Sequence, residues 1–211
     1  DADADSFLIA DTQRRLYIVD SGSAGVEKHS LPQIDRTRPI AELHFDHAKV
    51  DFLPGSSDGE VCLDIIDIGR VMIAADTLGA SQKMLDQAVT YAMQREQFNR
   101  VIASFQAVKH ICAEMAAEIE PSRALVWYAA HALEAVPDEA RLTSCHAKAH
   151  LGEVGKFVAK NATIVHGGMG FTDLVGLHYW FKRIGFNRQI LGGPELVRRE
   201  AAGLQGFIPF Q

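Results

Sequence analysis

Residues 60–95 read EVCLDIIDIGRVMIAADTLGASQKMLDQAVTYAMQR, and this stretch decides the fold class. Its apolar residues recur every three or four positions, which is the spacing of one face of an α-helix. Ser57 and Glu60 have the spacing of a capping box, so we expect one long helix from about Ser57 to about Arg95. The recurring apolar residues are Val61, Ile65, Ile68, Val71, Met72, Ala75, Leu78, Leu85, Ala88, Val89 and Ala92.

The same periodicity continues in four later segments. A second helix is expected from about Ser104, and a third opens at Pro137, because proline and the acidic residues after it favour a helix N-terminus. Gly167-Gly168 ends the third helix, since glycine suits a left-handed cap. A fourth helix covers roughly 177–191, and a last one runs over about 194–202. Long antiparallel helices of this kind form an up-down four-helix bundle.

The first 55 residues have a different pattern. Residues 6–10, 15–20 and 39–45 are short runs rich in β-forming side chains, separated by glycine, proline and polar turns. Three or four strands make a poor independent core, so this part is expected to be the remnant of a β domain whose sheet is incomplete. The sequence thus predicts a mainly α chain, with a partial β domain at 1–55 and a helical bundle at 56–211.

Composition narrows the classes of function. A net charge of -6 gives no support to nucleic-acid binding, and no apolar run reaches the roughly 18 residues of a membrane span. The cysteines, Cys62, Cys112 and Cys145, lack metal-ligand spacing, so reduced thiols, no metal site and a cytoplasmic location are expected. The acidic start, residues 1–5, is unlike a signal peptide, and without a Met it indicates a fragment or a processed product.

Arg95-Glu-Gln-Phe98, followed by Phe105-Gln106, lies at the corner between the first two predicted helices. A guanidinium near a helix N-terminus suits a phosphate, and a phenyl ring with nearby amides can hold an aromatic heterocycle. The same residues also suit a plain helix corner with a charged cap. Chemistry alone leaves both interpretations open.

Gly167-Gly168-Met169-Gly170-Phe171 follows the third helix. Glycines permit the close approach of a ligand or of another helix, and they equally suit a loop that only terminates a helix. The neighbouring His166 is more typical of a hydrogen-bonded structural residue than of an acid, a base or a metal ligand. This motif too is ambiguous by itself.

Together with Gly192-Gly193, these motifs occur in an order and at separations that resemble the acyl-CoA dehydrogenases, flavoenzymes that desaturate acyl-CoA thioesters. The resemblance extends through Asp67-Ile-Gly-Arg70 into the β segment and covers essentially the whole chain. It implies an N-terminal helical domain, a middle β domain and a C-terminal four-helix bundle, with FAD between the last two. It also implies a dimer or a dimer of dimers formed through the bundle.

The resemblance assigns roles to individual positions. The FAD of a neighbouring subunit would be contacted by Arg95, Gln97, Phe98, Phe105 and Gln106, and its pyrophosphate or adenine would lie near Ile164, Gly167 and Gly168. The chain's own FAD would be bordered by Gly193 and Pro194, and acyl-CoA by Asp67 and Arg70. FAD is expected in the full-length protein or complex and not on this chain by itself, because the front of the β domain, which binds the isoalloxazine ring in the family, is missing here.

The chain departs from the family pattern at the catalytic base. The family reaction needs a carboxylate that takes the α-proton of the thioester while hydride passes from the β-carbon to the flavin. That glutamate usually stands at the position of Gly192, and in a minority of members at the position of Gly69. Glycine can accept no proton, and Pro194 replaces the usual flavin-contacting threonine. Glu195 is a weak candidate for another base, because a first-turn carboxylate is typical of helix capping.

Three hypotheses remain from the sequence. The chain belongs to a degenerate subunit that pairs with a catalytic homologue, as in actinobacterial mixed tetramers, or to an active dehydrogenase with an unrecognised base, or to a non-enzymatic helical interaction module. The small residues Ala74, Ala75 and Gly79 on the long helix would leave room for a fatty or steroid acyl group, or would allow close helix packing.

Overall fold

The computed structural model describes residues 2–209, and contacts between residues divide the chain into two compact units between Ile66 and Asp67. The α-helices run over Glu60–Gln94 (α1), Gln106–Ala135 (α2), Pro137–His166 (α3), Leu177–Gln189 (α4) and Pro194–Leu204 (α5). The expected mainly helical chain with a C-terminal bundle is confirmed. The domain division after residue 55 stays a prediction about the native protein.

Helix α1 begins three residues later than the capping-box spacing suggested. Gly59 has a φ of 79°, and the helix starts at the next residue, Glu60. The amide of Glu60 donates to Asp58 Oδ1 at 3.1 Å, whereas the Ser57 hydroxyl donates back to the carbonyl of Pro54 at 2.8 Å. Asp58 therefore satisfies the first amide of the helix, a role for which the sequence pattern favoured Ser57.

The first unit contains short antiparallel strands. Its three-stranded sheet has the order β1-β2-β5, and a separate hairpin pairs β3 with β4. The sequence predicted the first, second and fourth strands but missed β3 and β5, which are polar or very short. The strands are Ser6–Ala10 (β1), Leu16–Asp20 (β2), Val26–Leu31 (β3), Ile40–Phe45 (β4) and Asp51–Phe52 (β5).

The second unit has one main hydrophobic core between α1, α2, α3 and α4. Met84, Met115, Leu151 and Leu177 are fully buried there. A smaller cluster joins α3 to α5 through Cys145, Ala149, Val197 and Ala201. The buried apolar residues recur every three or four positions along the helices, as the sequence predicted. On α1, however, the predicted apolar residues Val61, Ile65, Ile68, Met72 and Val89 are exposed.

Helices α1, α3 and α4 approach one another closely at Gly155 on α3. A Cβ atom placed there would lie 2.6 Å from Thr77 Cγ2 and 2.9 Å from Ile184 Cγ2. Asn187 on α4 adds polar contacts to α1, since its Nδ2 lies 2.6 Å from Asp76 Oδ2 and 3.2 Å from Thr77 Oγ1. The position of α4, and of the loop that follows it, is thereby fixed against α1.

Helix α2 continues without interruption across Pro121. Proline lacks the N–H that would bond to the preceding turn, and the hydroxyl of the next residue, Ser122, donates to the carbonyl of Glu118 at 2.7 Å. Among the described residues, no helix has the length and apolarity needed to cross a membrane, and no acidic, histidine or cysteine cluster could hold a metal ion. All three cysteines are free thiols.

Candidate functional site

The loop between α4 and α5 has an unusual backbone. Leu191 and Gly192 have φ values of 55° and 100°, and the amide of Gly192 donates to the carbonyl of Gln189 at 3.2 Å. A φ near 100° is accessible to glycine and strained for any residue with a Cβ atom. A Cβ at position 192 would also lie 3.0 Å from Val197 Cγ2. The loop is thus built around a glycine, at the position that the resemblance assigns to the catalytic glutamate.

Gly69, the second position expected for a base, faces the same loop from α1. A Cβ atom at Gly69 would lie 2.5 Å from Cδ1 of Leu191. The Leu191 side chain therefore occupies the space that a larger residue at position 69 would need. The structure brings the two glycine positions together around one leucine.

Arg70 lies beneath the loop and holds it to α1. The side chain is almost fully buried, and its Nε donates to the carbonyl of Leu191 at 3.1 Å. Its Nη1 lies 2.6 Å from Glu200 Oε2 and 3.3 Å from Cys145 Sγ. Burial disfavours the charge, but the hydrogen bond to Glu200 and the nearby acidic groups outweigh it, so the pKa of Arg70 is raised. The guanidinium of Arg70 is thus bound by groups of the chain itself, namely Leu191, Cys145 and Glu200.

Asp67 is buried one turn before Arg70. Its Oδ2 accepts a hydrogen bond from Arg141 Nε at 3.0 Å, and its Oδ1 accepts one from the Ser144 hydroxyl at 2.8 Å. A buried carboxylate bound in this way is a structural anchor between α1 and α3. The expectation that Asp67 and Arg70 lie near acyl-CoA stays a prediction, and any contact would use atoms that these bonds leave free.

Lys148 on α3 is a member of this site that sequence reasoning missed. The residue is only 2% exposed, and its Nζ donates to the carbonyls of Arg188 at 3.0 Å and of Gly192 at 2.8 Å. Burial, with the neighbouring charges of Arg70 and Arg188, lowers the pKa of Lys148 to about 8. One feature of the sequence could have indicated this role. Lys148 lies on the same side of α3 as the inward-facing residues Cys145 and Leu151, and a buried lysine needs a partner.

Glu195 is mostly exposed in the first turn of α5, where Gly193 is the N-cap. A bond to its own backbone N–H and one from Arg188 Nη2, at 2.9 Å, hold the pKa of Glu195 below its usual range. A carboxylate stabilised in its charged form is a weaker base. Among the described residues, the carboxylates of Asp67, Glu195 and Glu200 around this loop are all paired with arginines.

Gly193 and Pro194, expected beside a flavin, open α5. The ring of Pro194 is buried against α3, where a Cβ at Gly152 would lie 3.0 Å from Pro194 Cγ. Pro194, which the resemblance places at a threonine of the family, thus packs α5 against α3. Any contact of Gly193 or Pro194 with a cofactor would use backbone atoms. That contact stays a prediction.

A second candidate site lies at the junction of α1 and α2. Two short strands, Glu96–Gln97 (β6) and Arg100–Val101 (β7), form a hairpin whose turn residues Phe98 and Asn99 have φ values of 55° and 59°. The Phe98 side chain is 87% exposed, and Arg95, Gln97 and Gln106 are also exposed. The Arg100 guanidinium lies 3.9 Å from the ring centroid of Phe105. The hairpin presents an aromatic ring, amides and cations to the outside.

The glycine-rich segment after α3 is open on one side. Within residues 2–209, and apart from the adjoining residues of the chain, no atom lies within 4 Å of where a Cβ would stand at Gly167 or Gly168, and Ile164 is 52% exposed. The ring of His166, the last residue of α3, stacks on Tyr91 of α1 with centroids 4.6 Å apart. Since Arg95 follows Tyr91 by one helical turn, this stack brings the arginine-containing corner and the glycine-rich segment to the same end of the bundle.

The helical bundle, with the loop between α4 and α5, matches a known family of domains. Residues 58–203 match the family described as acyl-CoA dehydrogenase, C-terminal domain. This match covers more than half of the chain. The chain belongs to the acyl-CoA dehydrogenase family.

Relatives span different members of the family. A 3-(aryl)acrylate reductase of Clostridium sporogenes is 32% identical over 74% of this chain and 42% of that protein. The acyl-CoA dehydrogenase IpdE2 of Mycobacterium tuberculosis is 32% identical over 79% of this chain and 48% of that protein. In the solved ChsE4-ChsE5 complex of Mycobacterium tuberculosis, one chain is 27% identical with a TM-score of 0.85, over 98% of this chain and 57% of that chain. The chain thus spans about half the length of these relatives.

The exposed end of the bundle has features that fit part of a flavin nucleotide. Arg95 offers a cation to a pyrophosphate, the bare backbone at Gly167 and Gly168 permits close approach, and Phe98 offers a flat apolar face. The residue at position 164 is isoleucine and offers apolar contact only. These assignments rest on the family resemblance together with exposure, and they stay predictions for each residue.

Proposed function

We propose that this chain is the C-terminal part of an acyl-CoA dehydrogenase-type subunit that supplies no catalytic base and works beside a base-bearing partner. The observation that carries the proposal is the conformation of Gly192. A glutamate at this position would need a φ near 100° and would meet Val197. The backbone conformation of the loop therefore requires glycine at position 192, in addition to the absence of a carboxylate there.

The contacts beneath the loop support the same conclusion. Lys148 binds the carbonyl of Gly192, and Arg70 binds that of Leu191, so two buried cations fix consecutive peptide groups. Refolding the loop to admit a base would break these bonds and leave buried charges unpaired, at a cost of several kcal/mol. The paired state of Glu195 argues against that residue as a substitute.

A flavin fits the proposal as a cofactor shared between subunits. When bound, FAD supplies the hydride acceptor for the oxidation of the acyl group. On this chain, Arg95, Gln97, Phe98, Phe105 and Gln106 would bind and orient the nucleotide part of a neighbouring subunit's FAD, together with the backbone at Gly167 and Gly168. The two-component name of the ChsE4-ChsE5 complex supports a mixed assembly. In the assembly proposed here, the flavin would be held between unlike subunits.

The outer face of α1 has an exposed apolar stripe, which supports the proposal of an acyl substrate. Ile68 and Met72 are 46% and 67% exposed, and Ala75 and Gly79 continue the same apolar stripe along the helix. Ala74 is buried in the bundle core, so it contributes to helix packing. We assign the stripe to a fatty or steroid acyl group, whose apolar chain would cover it.

Co-purification tests the mixed assembly. The full-length parent should be expressed with a tag, alone and together with a homologue that has glutamate at the position of Gly192. We expect a stable mixed oligomer that carries flavin absorbance, and little flavin on the parent alone. A flavin-replete oligomer of the parent alone that does not recruit the homologue would contradict the proposal, and a flavin-free mixed oligomer would point to an interaction module.

A further inference from the structure

One side of helix α2 carries a row of residues that the bundle does not cover. Met115, Ile119 and Val126 are buried in the core, and a second row lies beside them along the helix. Its members are spaced alternately by four and three positions, which is the spacing of a coiled-coil seam. We call this row the α2 seam. It consists of Lys109, Ala113, Ala116, Glu120, Arg123, Trp127, Ala130 and Glu134.

The α2 seam is accessible to a partner. All of its residues are exposed except Arg123, which is partly buried, and the Trp127 side chain is 67% exposed. Tryptophan is a large, mostly apolar side chain that is enriched at protein interfaces and at their energetic centres. The alanines of the seam leave room for a second helix to approach.

The α2 seam is complementary to its own reverse. When two copies of α2 lie side by side in opposite directions, two-fold symmetry makes each facing pair occur twice. The facing pairs are Lys109 with Glu134, Ala113 with Ala130, Ala116 with Trp127, and Glu120 with Arg123. Every charged residue then faces the opposite charge, and the large indole faces a small methyl group. A parallel pair would instead place Glu120 against Glu120 and Arg123 against Arg123, which like charges disfavour.

The two central charges are available for a second chain. The Glu120 side chain is 75% exposed, and its Oε2 lies 3.6 Å from Arg123 Nε of the same chain, a surface contact of little energetic value. The Nη2 of Arg123 donates to Gln82 Oε1 on α1 at 3.2 Å. A guanidinium has five N–H donors, so Arg123 can bind Gln82 and a carboxylate from a second chain together.

We propose that the α2 seam binds a second copy of this chain, with the two α2 helices antiparallel and Trp127 of each copy packed on Ala116 of the other. The charged pairs at the centre and at the ends fix the direction and the register of the two helices. Ala116 lies about 15 Å along the helix from Gln106, so the central contact is separate from the residues assigned to flavin. The proposal involves neither a flavin nor a catalytic base, and it does not rest on the proposed function.

Sedimentation equilibrium of the 211-residue chain tests this contact without flavin or homologue. Two helices of this length form a small interface, so we expect a monomer–dimer equilibrium with a Kd on the order of 10–100 µM. Trp127→Ala removes the central apolar contact, and Glu120→Arg or Arg123→Glu places like charges together. Each change should raise the Kd by about tenfold or more. The double variant Glu120→Arg with Arg123→Glu restores opposite charges and should recover the Kd to within about threefold.

Glu114→Arg is the matched control. Glu114 is exposed on α2 outside the α2 seam, and its replacement changes the net charge by the same amount as Glu120→Arg. The Kd of this variant should stay unchanged, and circular dichroism checks the fold of each variant. If Trp127→Ala does not fold, the charge variants still decide the question.

Four results would overturn the proposal. They are a chain that stays monomeric up to about 1 mM, equal effects of Glu114→Arg and Glu120→Arg, single seam variants that dimerise as tightly as the unaltered chain, and a double variant as weak as the single ones. If the chain alone is monomeric but its seam variants release a bound homologue, the α2 seam binds the homologue and the second-copy proposal is wrong.

Discussion

At the scale of single residues, Gly192 and the buried cations Arg70 and Lys148 determine the conformation of the loop between α4 and α5. The family resemblance predicts that glycine stands here in place of a carboxylate. The structure adds that the φ of 100° and the bond from Lys148 make the glycine an integral part of the loop. Lys148 could not be foreseen, because its two partners are backbone carbonyls that only the folded loop places beside α3. A sequence reports side chains, whereas this contact depends on where peptide groups point.

The buried position of Lys148 leads to a pH-dependence of stability. Its pKa falls from 10.5 to about 8 in the folded protein, so between these values the unfolded chain binds more protons than the native one. Stability should then rise with pH across this window, by up to about 3 kcal/mol for this group. The free energy of unfolding in urea, measured at pH 7.5 and pH 10, should show this rise relative to a Lys148→Met variant.

The comparison with Lys148→Met removes contributions from other groups that titrate in the same range. The relevant quantity is the free energy of unfolding of the unaltered protein minus that of Lys148→Met. If this difference stays constant from pH 7.5 to pH 10, Lys148 is not desolvated and its contacts with the loop are described wrongly. If the difference falls with rising pH, the pKa of Lys148 is raised by folding and not lowered.

At the scale of elements, helices were predicted well because each has its own apolar period and end signals. The end of α3 at Gly167-Gly168 and the start of α5 at Pro194 were located to within a residue. Strands β3 and β5 were missed because β3 is mostly exposed and polar and β5 has two residues. The hairpin of β6 and β7 was also missed, since its turn is Phe98-Asn99 and lacks the glycine that usually indicates such a turn.

Close packing at Gly155 should make that position intolerant of any side chain. Gly155→Ala would place its methyl group against Thr77 and Ile184, and we expect a loss of about 1–3 kcal/mol in the free energy of unfolding. Gly185→Ala on α4 is the matched control. Apart from the backbone of its own helix, no atom of the described residues lies within 4 Å of its Cβ position, so the change should be neutral or stabilise the helix by up to about 1 kcal/mol.

Urea unfolding monitored by circular dichroism measures the free energy of unfolding of both variants. Equal stability of Gly155→Ala and Gly185→Ala would show that α1, α3 and α4 are not packed as closely as described. The packing matters for the site, because α4 carries the loop that contains Gly192.

At the scale of the whole molecule, the chain spans about half the length of its relatives. Family membership could be predicted from the sequence, since ordered motifs survive in a partial chain. The roles of single residues toward flavin and acyl-CoA could not be settled in the same way. Those ligands would lie between subunits and between domains, so the contacts of one bundle leave Arg95, Phe98 and the glycine-rich segment exposed.

The rate of flavin reduction by acyl-CoA tests the central claim most directly. Full-length parent protein, supplied with excess FAD, should be mixed with fatty and steroid acyl-CoA thioesters, alone and in complex with a homologue that carries glutamate at the position of Gly192. Flavin bleaching should be slower by about a hundredfold or more in the parent alone than in the mixed complex, and Glu195→Gln should leave the rate of the mixed complex unchanged. Equal rates with and without the homologue would contradict the account.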